Sequence, residues 1–132
     1  MDSNSSGELV NAGRKDDSSK VRYTLLPPYA LHETASALTF GGDKYGDENW
    51  RMVDGAEIRY TSAALRHINK WRMGEKLDGD SDLHHLSHAI ASLMFVLELE
   101  LLAEEDDAVR QMELPFNAAL SAYVNAVASR VS

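Results

Sequence analysis

The segment 82–104 constrains the fold more than any other part of the chain, because it has helical periodicity and is apolar on nearly every side. One stripe consists of Leu83, Leu86, Ile90, Leu93, Leu97 and Leu101, and other sides carry Met94, Phe95, Leu99 and Leu102. Such a helix must be covered on most of its circumference. A few helices of similar size cannot easily do this in a monomer, so the pattern predicts a homo-oligomer (a dimer or tetramer) with this helix at the interface. The alternative is a core helix that is fully covered within one chain.

The rest of the chain also favours helices. Apolar spacing and helix-start or helix-stop signals predict three further helices at 29–40, 56–73 and 116–130. We expect Gly41 and Gly42 to end the first of them, Ser81 to cap the apolar helix, and Pro115 to separate that helix from the last. No segment alternates with period two over a useful length. The sequence therefore predicts an all-α fold, a small bundle of about four helices with an ordered N-terminal loop region.

Composition limits the class of protein. The chain has 132 residues, 44% of them hydrophobic, and no cysteine, which fits one domain without disulfides or a thiol nucleophile. We expect a flexible tail at 1–19 and a single domain at 20–132. The net charge of −8 argues against binding to nucleic acid or to an anionic membrane. The longest apolar stretch, 89–97, is far shorter than the ~20 residues of a membrane helix, and no signal peptide is visible, so we expect a cytoplasmic protein.

Five side chains that can bind a divalent metal lie within fourteen residues at the start of the apolar helix. Glu75 and Asp78 lie in a short acidic loop, and His84, His85 and His88 follow. His85 and His88 are three residues apart and share a helix face. Imidazoles at this spacing can share a metal, or hold phosphate when protonated. We predict a metal site of Glu75, Asp78, His85 and His88, the alternative being solvated side chains at a helix start.

Basic residues are concentrated on the predicted helix 56–73 of this acidic protein. Arg66 and Lys70 share a face, and His67 lies beside them. Guanidinium and ammonium groups on one face are suited to phosphate. We predict that these three residues contact a ligand, and further cationic candidates are Lys20, Arg22 and Lys44. The alternative is an ordinary solvated helix face.

Aromatic side chains near these groups could stack on a base. Tyr45 and Trp50 lie in the predicted loop 43–54, and Trp71 lies near the end of the basic helix. Aromatic residues at such places are more often anchors of the core. Glu33, on the first helix, is a candidate metal ligand or general base, although a solvated glutamate is the commoner case. The chain has no Walker loop and no dinucleotide-binding glycine motif.

Four sequence motifs resemble those of a known family. They read KVRYTLLPPYAL at 20–31, TFGGDKYGDENW at 39–50, AALRHINKWRMGEKLD at 63–78 and HLSHA at 85–89. Together they resemble the phage and bacterial family called dATP/dGTP diphosphohydrolase, N-terminal type. The resemblance implies an all-α protein of a phage or prophage, acting on a purine nucleotide in the host cytoplasm, and it adds Asn49 of the second motif to the ligand-binding candidates. It also suggests kinship with the MazG-like pyrophosphohydrolases, which release a nucleoside monophosphate and pyrophosphate.

Two functions remain open, because that wider group binds Mg through EExxE and ExxD motifs and this chain has no EExxE. The first is an enzyme that hydrolyses a purine deoxynucleotide with a divalent metal (Mn, Mg or Zn), with Glu33 and Glu75 as the catalytic carboxylates and Arg66 and Lys70 steadying pyrophosphate. The second is a non-catalytic sponge, with which a phage sequesters a nucleotide signal of host immunity. Retained cations and the missing acidic motif favour the sponge.

Overall fold

The structure of the chain is a computed structural model that describes residues 12–131, apart from the side chains of 113–119 and 131. Within this range lie three α-helices, α1 (Pro28–Tyr45), α2 (Ala56–Arg72) and α3 (His85–Val131), and two short 3₁₀ helices, Tyr23–Leu25 and Asn49–Met52. The described residues contain no β-strand, only a single antiparallel bridge between Leu77 and His84. The prediction of an all-α fold is therefore confirmed. Most of the predicted tail 1–19 lies outside the described residues.

Helix α1 is longer than the sequence predicted. Pro28 stands in its first turn, where the missing N–H is no loss. The helix then continues through Gly41 and Gly42 and ends at Gly46, whose φ is 100° and whose N–H donates to the Gly42 carbonyl over 2.7 Å. The predicted stop at Gly41–Gly42 is wrong, because a glycine inside a helix costs only about 1 kcal/mol.

Helix α3 also differs from the prediction. It begins at His85 rather than just after Ser81, and it continues without interruption through Pro115 to Val131. The two helices predicted at 82–104 and 116–130 are therefore one. A proline inside a helix removes one backbone hydrogen bond and costs ~3 kcal/mol, yet α3 continues through this position. Helix α2, in contrast, lies within one residue of the predicted range 56–73.

The three helices meet through small side chains. Helix α3 packs against both α2 and α1. Among the residues whose burial the structure describes, the buried apolar ones are all alanines: Ala37, Ala64, Ala89 and Ala91. Thr34 and Ser87 are buried beside them. Small residues allow the helix backbones to approach closely, which brings polar side chains of α2 and α3 within hydrogen-bonding distance of each other.

The apolar stripe of α3 is not covered within one chain. Leu93, Leu97 and Leu101 are each about half exposed, and every described residue of α3 beyond residue 102 is exposed. The exposed part rises ~1.5 Å per residue and therefore extends for roughly 40 Å. The alternative of a core helix buried within one chain does not describe this arrangement.

By length and composition alone, the segment His85–Met112 of α3 could cross a membrane. This weakens the prediction made from the shorter stretch 89–97. A single such helix is weak evidence, because core helices of soluble proteins have the same composition. The first part of this segment carries the buried residues His85, Ala89 and Ala91, whereas Leu97 and Leu101 further along it are exposed.

Candidate functional site

The loop between α2 and α3 is fixed by its own backbone. Gly74, with φ of 103°, turns the chain after α2. The N–H of Asp78 donates to the Leu83 carbonyl over 2.8 Å, and the N–H of His85 donates to the Lys76 carbonyl over 2.9 Å. These bonds across the loop hold its acidic residues against the start of α3.

His84 caps α3 and takes no part in the cluster that follows. Its Nδ1 accepts a hydrogen bond from the backbone N–H of Leu86, the second residue of the helix, over 3.0 Å. Its carbonyl accepts one from the Ser87 hydroxyl over 2.6 Å. Satisfying free N–H groups at a helix start is the usual role of a capping side chain. The prediction that Ser81 caps this helix is wrong, because the helix begins four residues after it.

His85, on α3, joins α2 to the loop through a chain of hydrogen bonds. Its side chain is fully buried. Its Nε2 lies 2.6 Å from Oε2 of Glu75, and its Nδ1 lies 2.8 Å from Nδ1 of His67 on α2. Since a carboxylate only accepts, His85 donates from Nε2. With both rings neutral, Nδ1 of His85 then accepts and His67 donates from Nδ1.

His88 lies one turn after His85 and contacts the same loop. Its Nε2 is 2.6 Å from the Ser81 hydroxyl and 3.9 Å from Oδ2 of Asp78. Its ring stacks on that of His67, with centroids 4.9 Å apart and planes 17° apart. The three imidazoles of His67, His85 and His88 therefore form one contiguous group.

Burial lowers the pKa of two of these imidazoles, those of His67 and His88. It lowers the pKa of His67 from 6.5 to about 4, and the neighbouring His88 lowers it further. Burial also lowers the pKa of His88, although the nearby Asp78 opposes the change. Neutral imidazoles have a free nitrogen lone pair, which suits a metal ion better than a phosphate.

Asp78 accepts several hydrogen bonds from the loop. Its Oδ2 accepts from the Ser81 N–H over 2.9 Å, from the Ser81 hydroxyl over 3.1 Å and from the Asp80 N–H over 3.2 Å. Burial alone would raise the pKa of Asp78, but the bonds from Ser81 outweigh it and the pKa is lowered. Asp78 is therefore a carboxylate held at the edge of the histidine group.

Three of these residues form a candidate metal site. One ligand atom each from His67, Asp78 and His85 lie within 4.8 Å of one another. Neighbouring ligands of one Zn or Mn ion lie about 3 Å apart, close to the 2.8 Å between the two Nδ1 atoms. Glu75, bound to the far nitrogen of His85, has the position of a residue that orients a metal ligand. This set shares Asp78 and His85 with the sequence prediction.

A cavity of about 420 Å³ adjoins the candidate metal site. The volume is in the range of small-molecule sites. Three cationic side chains line it, namely Lys44 from α1 and Arg66 and Lys70 from α2. Lys44 is bound to Asp80 over 2.8 Å, and this hydrogen bond raises its pKa. The cavity lining thus combines three cationic side chains with the imidazoles of His67 and His88.

An aromatic wall also borders the cavity. Trp50 stacks on Phe95 of α3, with centroids 4.8 Å apart, and the Arg51 guanidinium lies 4.4 Å above the Trp50 ring. Trp50 thus contacts both the Phe95 ring and the Arg51 guanidinium. Tyr60 of α2 packs on Phe95 at 5.0 Å, and burial raises the pKa of Tyr60. These contacts make Trp50 an anchor of the aromatic wall.

The cavity gathers most of the residues that the sequence predicted. Those that line it are Lys44, Tyr45, Asn49, Trp50, Arg66, His67, Lys70, Asp78 and His88. His85 contacts His67, and Glu75 contacts His85, but neither His85 nor Glu75 is among the residues that line the cavity. Lys20, Arg22 and Glu33 are not among the residues that line it, and Trp71, which is 45% exposed, lies outside as well.

Sequence reasoning missed several residues of the site. Phe95 and Tyr60 line the cavity, and Ser81 binds His88. Phe95 follows His88 by seven residues and Tyr60 precedes His67 by seven, a spacing that places both members of a pair on one helix face. That spacing was a usable signal for the aromatic residues. The position of Ser81 depends on the loop conformation and had no such signal.

The fold and this site define an all-α protein with a histidine and carboxylate cluster beside a cation-lined cavity. The chain belongs to the dATP/dGTP diphosphohydrolase N-terminal family, whose sequence model matches residues 10–109. The predicted family resemblance is confirmed.

One relative is a protein of Salmonella phage PMBT28 named dATP/dGTP diphosphohydrolase. It is 35% identical to this chain over 88 residues, which cover 66% of this chain and 29% of the relative. The chain therefore spans less than a third of the length of that relative. No solved structure matches the chain.

Proposed function

We propose that the cavity binds a purine deoxynucleoside triphosphate and hydrolyses it with a divalent metal, releasing a nucleoside monophosphate and pyrophosphate. The observation that carries this proposal is the position of His67, Asp78 and His85 beside a cavity lined by Arg66 and Lys70. The name of the phage relative supports the choice of dATP and dGTP as substrates.

His67, Asp78 and His85 are proposed as the metal ligands. Two imidazole nitrogens and one carboxylate oxygen suit Mn or Zn, whereas Mg prefers oxygen and water. For both Nδ1 atoms to hold an ion, the proton on Nδ1 of His67 would have to move to Nε2 of the same ring, and Glu75 would keep His85 in the correct tautomer. Once bound, the ion would neutralise phosphate charge and make water a better nucleophile.

The cations have a separate task in this reaction. Arg66 and Lys70 lie one turn apart on α2, and Lys44 reaches the cavity from α1. Charged hydrogen bonds from these groups would hold the phosphates and stabilise the leaving pyrophosphate. Glu33 has no part in the proposed reaction, because it does not line the cavity.

Incubation with dATP, dGTP and dCTP tests the proposal, with Mn, Zn, Mg or EDTA and with the products separated by chromatography. We expect dAMP and pyrophosphate from dATP in Mn or Zn and none in EDTA. His67→Ala should abolish turnover and weaken Mn binding in calorimetry. His32→Ala, which changes an exposed histidine of α1, should leave both unchanged. Turnover by His67→Ala at the wild-type rate would refute the metal assignment.

A nucleotide sponge is the second candidate, because the cations line the cavity independently of the histidine group. A sponge needs Arg66, Lys70 and Lys44 but no metal. Nucleotide binding that persists in EDTA, without turnover in any metal, would favour it. Stronger binding at low pH through His67 is not expected, since its pKa of about 4 keeps the ring neutral near pH 5.5.

We further propose that α3 assembles the chain into a homo-oligomer, because Leu97, Leu101 and Met112 are exposed along it. Burying such side chains stabilises an interface by ~25 cal/mol per Å² of apolar surface. Light scattering should give a multiple of 14.6 kDa. A single species of that monomer mass at micromolar concentration would refute the assembly.

A further inference from the structure

The side-chain amide of Asn49 has no hydrogen-bond partner among the described residues. Asn49 is the first residue of the 3₁₀ helix Asn49–Met52, and its backbone N–H donates to the Gly46 carbonyl over 3.2 Å. The side chain is half-buried and lines the cavity, yet no hydrogen bond joins it to any described residue. Buried polar groups normally have a hydrogen-bond partner in the protein or in ordered water. The Asn49 amide has none in the described protein, so it is available to a polar group of a ligand in the cavity.

The backbone that carries Asn49 is firmly held. The next residue, Trp50, contacts both the Phe95 ring and the Arg51 guanidinium. Arg51 in turn binds Glu48 over 2.7 Å. A recognition side chain on a fixed backbone loses little entropy when it binds. The anchoring of Trp50 thus positions Asn49 at the edge of the cavity.

The residues around Asn49 differ from those around the candidate metal site. Asn49 shares the cavity wall with the contacting aromatic residues Trp50, Phe95 and Tyr60. The histidines form their own contact group with Asp78 and Ser81. A nucleotide also has two unlike parts, a flat base with apolar faces and hydrogen-bonding edges, and a charged phosphate chain. The aromatic group fits the base and the histidine and cation groups fit the phosphates.

We propose that the Asn49 amide selects purines by donating a hydrogen bond to N7 of the base, an inference that rests on the proposed function. Adenine and guanine both present N7 as an acceptor, and pyrimidines have no such atom. The same amide can accept from the 6-amino group of adenine, or donate its second hydrogen to O6 of guanine. One side chain therefore accepts both purines. Among the cavity-lining residues of the described chain, only Asn49 carries a side-chain amide.

Binding of 7-deaza-dATP tests this role, because that analogue differs from dATP only in lacking the N7 acceptor. Titrations would compare dATP, dGTP, dCTP and 7-deaza-dATP on wild type, Asn49→Ala and the isosteric Asn49→Asp. We expect wild type to bind dATP and dGTP roughly tenfold tighter than 7-deaza-dATP, the value of one hydrogen bond. Both variants should lose this preference, since neither side chain donates to N7, and Asn49→Ala should bind dCTP as wild type does.

Asn69→Ala is the matched control. Asn69 lies exposed on α2, where its amide contacts only the Met73 sulfur at 3.8 Å, and it does not line the cavity. This variant should keep the full preference for N7. Equal binding of dATP and 7-deaza-dATP by wild type, or an undiminished preference in Asn49→Ala, would overturn the inference. Turnover assays separate the two proposals. If dATP is hydrolysed without a preference for N7, only the proposed role of Asn49 is refuted. If N7 is preferred but nothing is hydrolysed, only the proposed enzyme activity is refuted.

Discussion

Acidification should destabilise the metal-free protein through His67. The pKa of His67 is lowered from 6.5 to about 4 by burial first and then by His88, while Asp78 opposes the shift. Between these two pH values the unfolded chain binds a proton that the folded chain does not. The stability of the folded protein therefore falls as the pH falls from 6.5 towards 4. The contribution of neutral His67 to that stability is fully present above pH 6.5.

The size of this effect follows from the shift and the exposure of the ring. A change from 6.5 to about 4 corresponds to ~3.4 kcal/mol at the low-pH limit. His67 is only partly buried and borders a cavity that water can enter, so screening reduces the effect to ~1–2 kcal/mol. Roughly half of it, about 1 kcal/mol, should be lost by pH ~5.

Urea unfolding in EDTA at about pH 7.5 and 5 measures this loss. Between these two pH values the free energy of unfolding of wild type should fall by ~1 kcal/mol more than that of His67→Gln, because a glutamine side chain does not take up a proton. His88 contributes in the same direction but is present in both proteins. The lowered pKa of Asp78 acts below 3.8, outside the window. Parallel losses in the two proteins would show that burial does not hold His67 neutral.

Three further predictions concern the metal, the phosphates and α1. Glu75→Ala should weaken Zn or Mn binding by about 10- to 100-fold, because His85 loses its orienting partner; unchanged affinity in calorimetry would remove that role. Arg66→Ala should weaken nucleotide binding by ~1.5–3 kcal/mol, whereas Arg72→Ala, outside the cavity, should not; equal effects would make Arg66 an ordinary surface residue. Gly41→Ala should raise the free energy of unfolding by ~0.5–1 kcal/mol, because the added methyl meets no atom within 4 Å; a lower melting temperature would contradict this.

The elements that the sequence predicted well depend on local signals. The range of α2 follows from its apolar spacing and from Gly74 at its end, and the structure places it within one residue. The ends of α1 and α3 depend on more than local preference. A glycine costs a helix about 1 kcal/mol, which packing against a neighbour can offset. Gly41 and Gly42 were therefore poor stop signals, and α3 continues through Pro115 although a proline costs a helix ~3 kcal/mol.

Membership of the site could be predicted better than the role of each residue. The motifs contain His67, Asp78, His85 and His88, all of which lie in the cluster or the cavity. The sequence predicted Glu75 as a metal ligand. Only the loop conformation shows that its carboxylate contacts Nε2 of His85, the nitrogen that does not face His67. The pairing of His67 with His85 depends on the approach of α2 to α3 across 18 residues. Sequence spacing carries no information about such a distance.

The two candidate functions use adjoining but separate parts of one cavity. Arg66 and Lys70 make no hydrogen bond with the histidine group among the described residues, and Lys44 is held by Asp80 rather than by a histidine. Removing the metal would therefore leave the phosphate contacts in place. A variant that lost metal affinity would still bind nucleotide and would act as a sponge. Nucleotide affinity in EDTA then measures the contribution of the cations. The change in affinity when Mn or Zn is added measures the contribution of His67, Asp78 and His85.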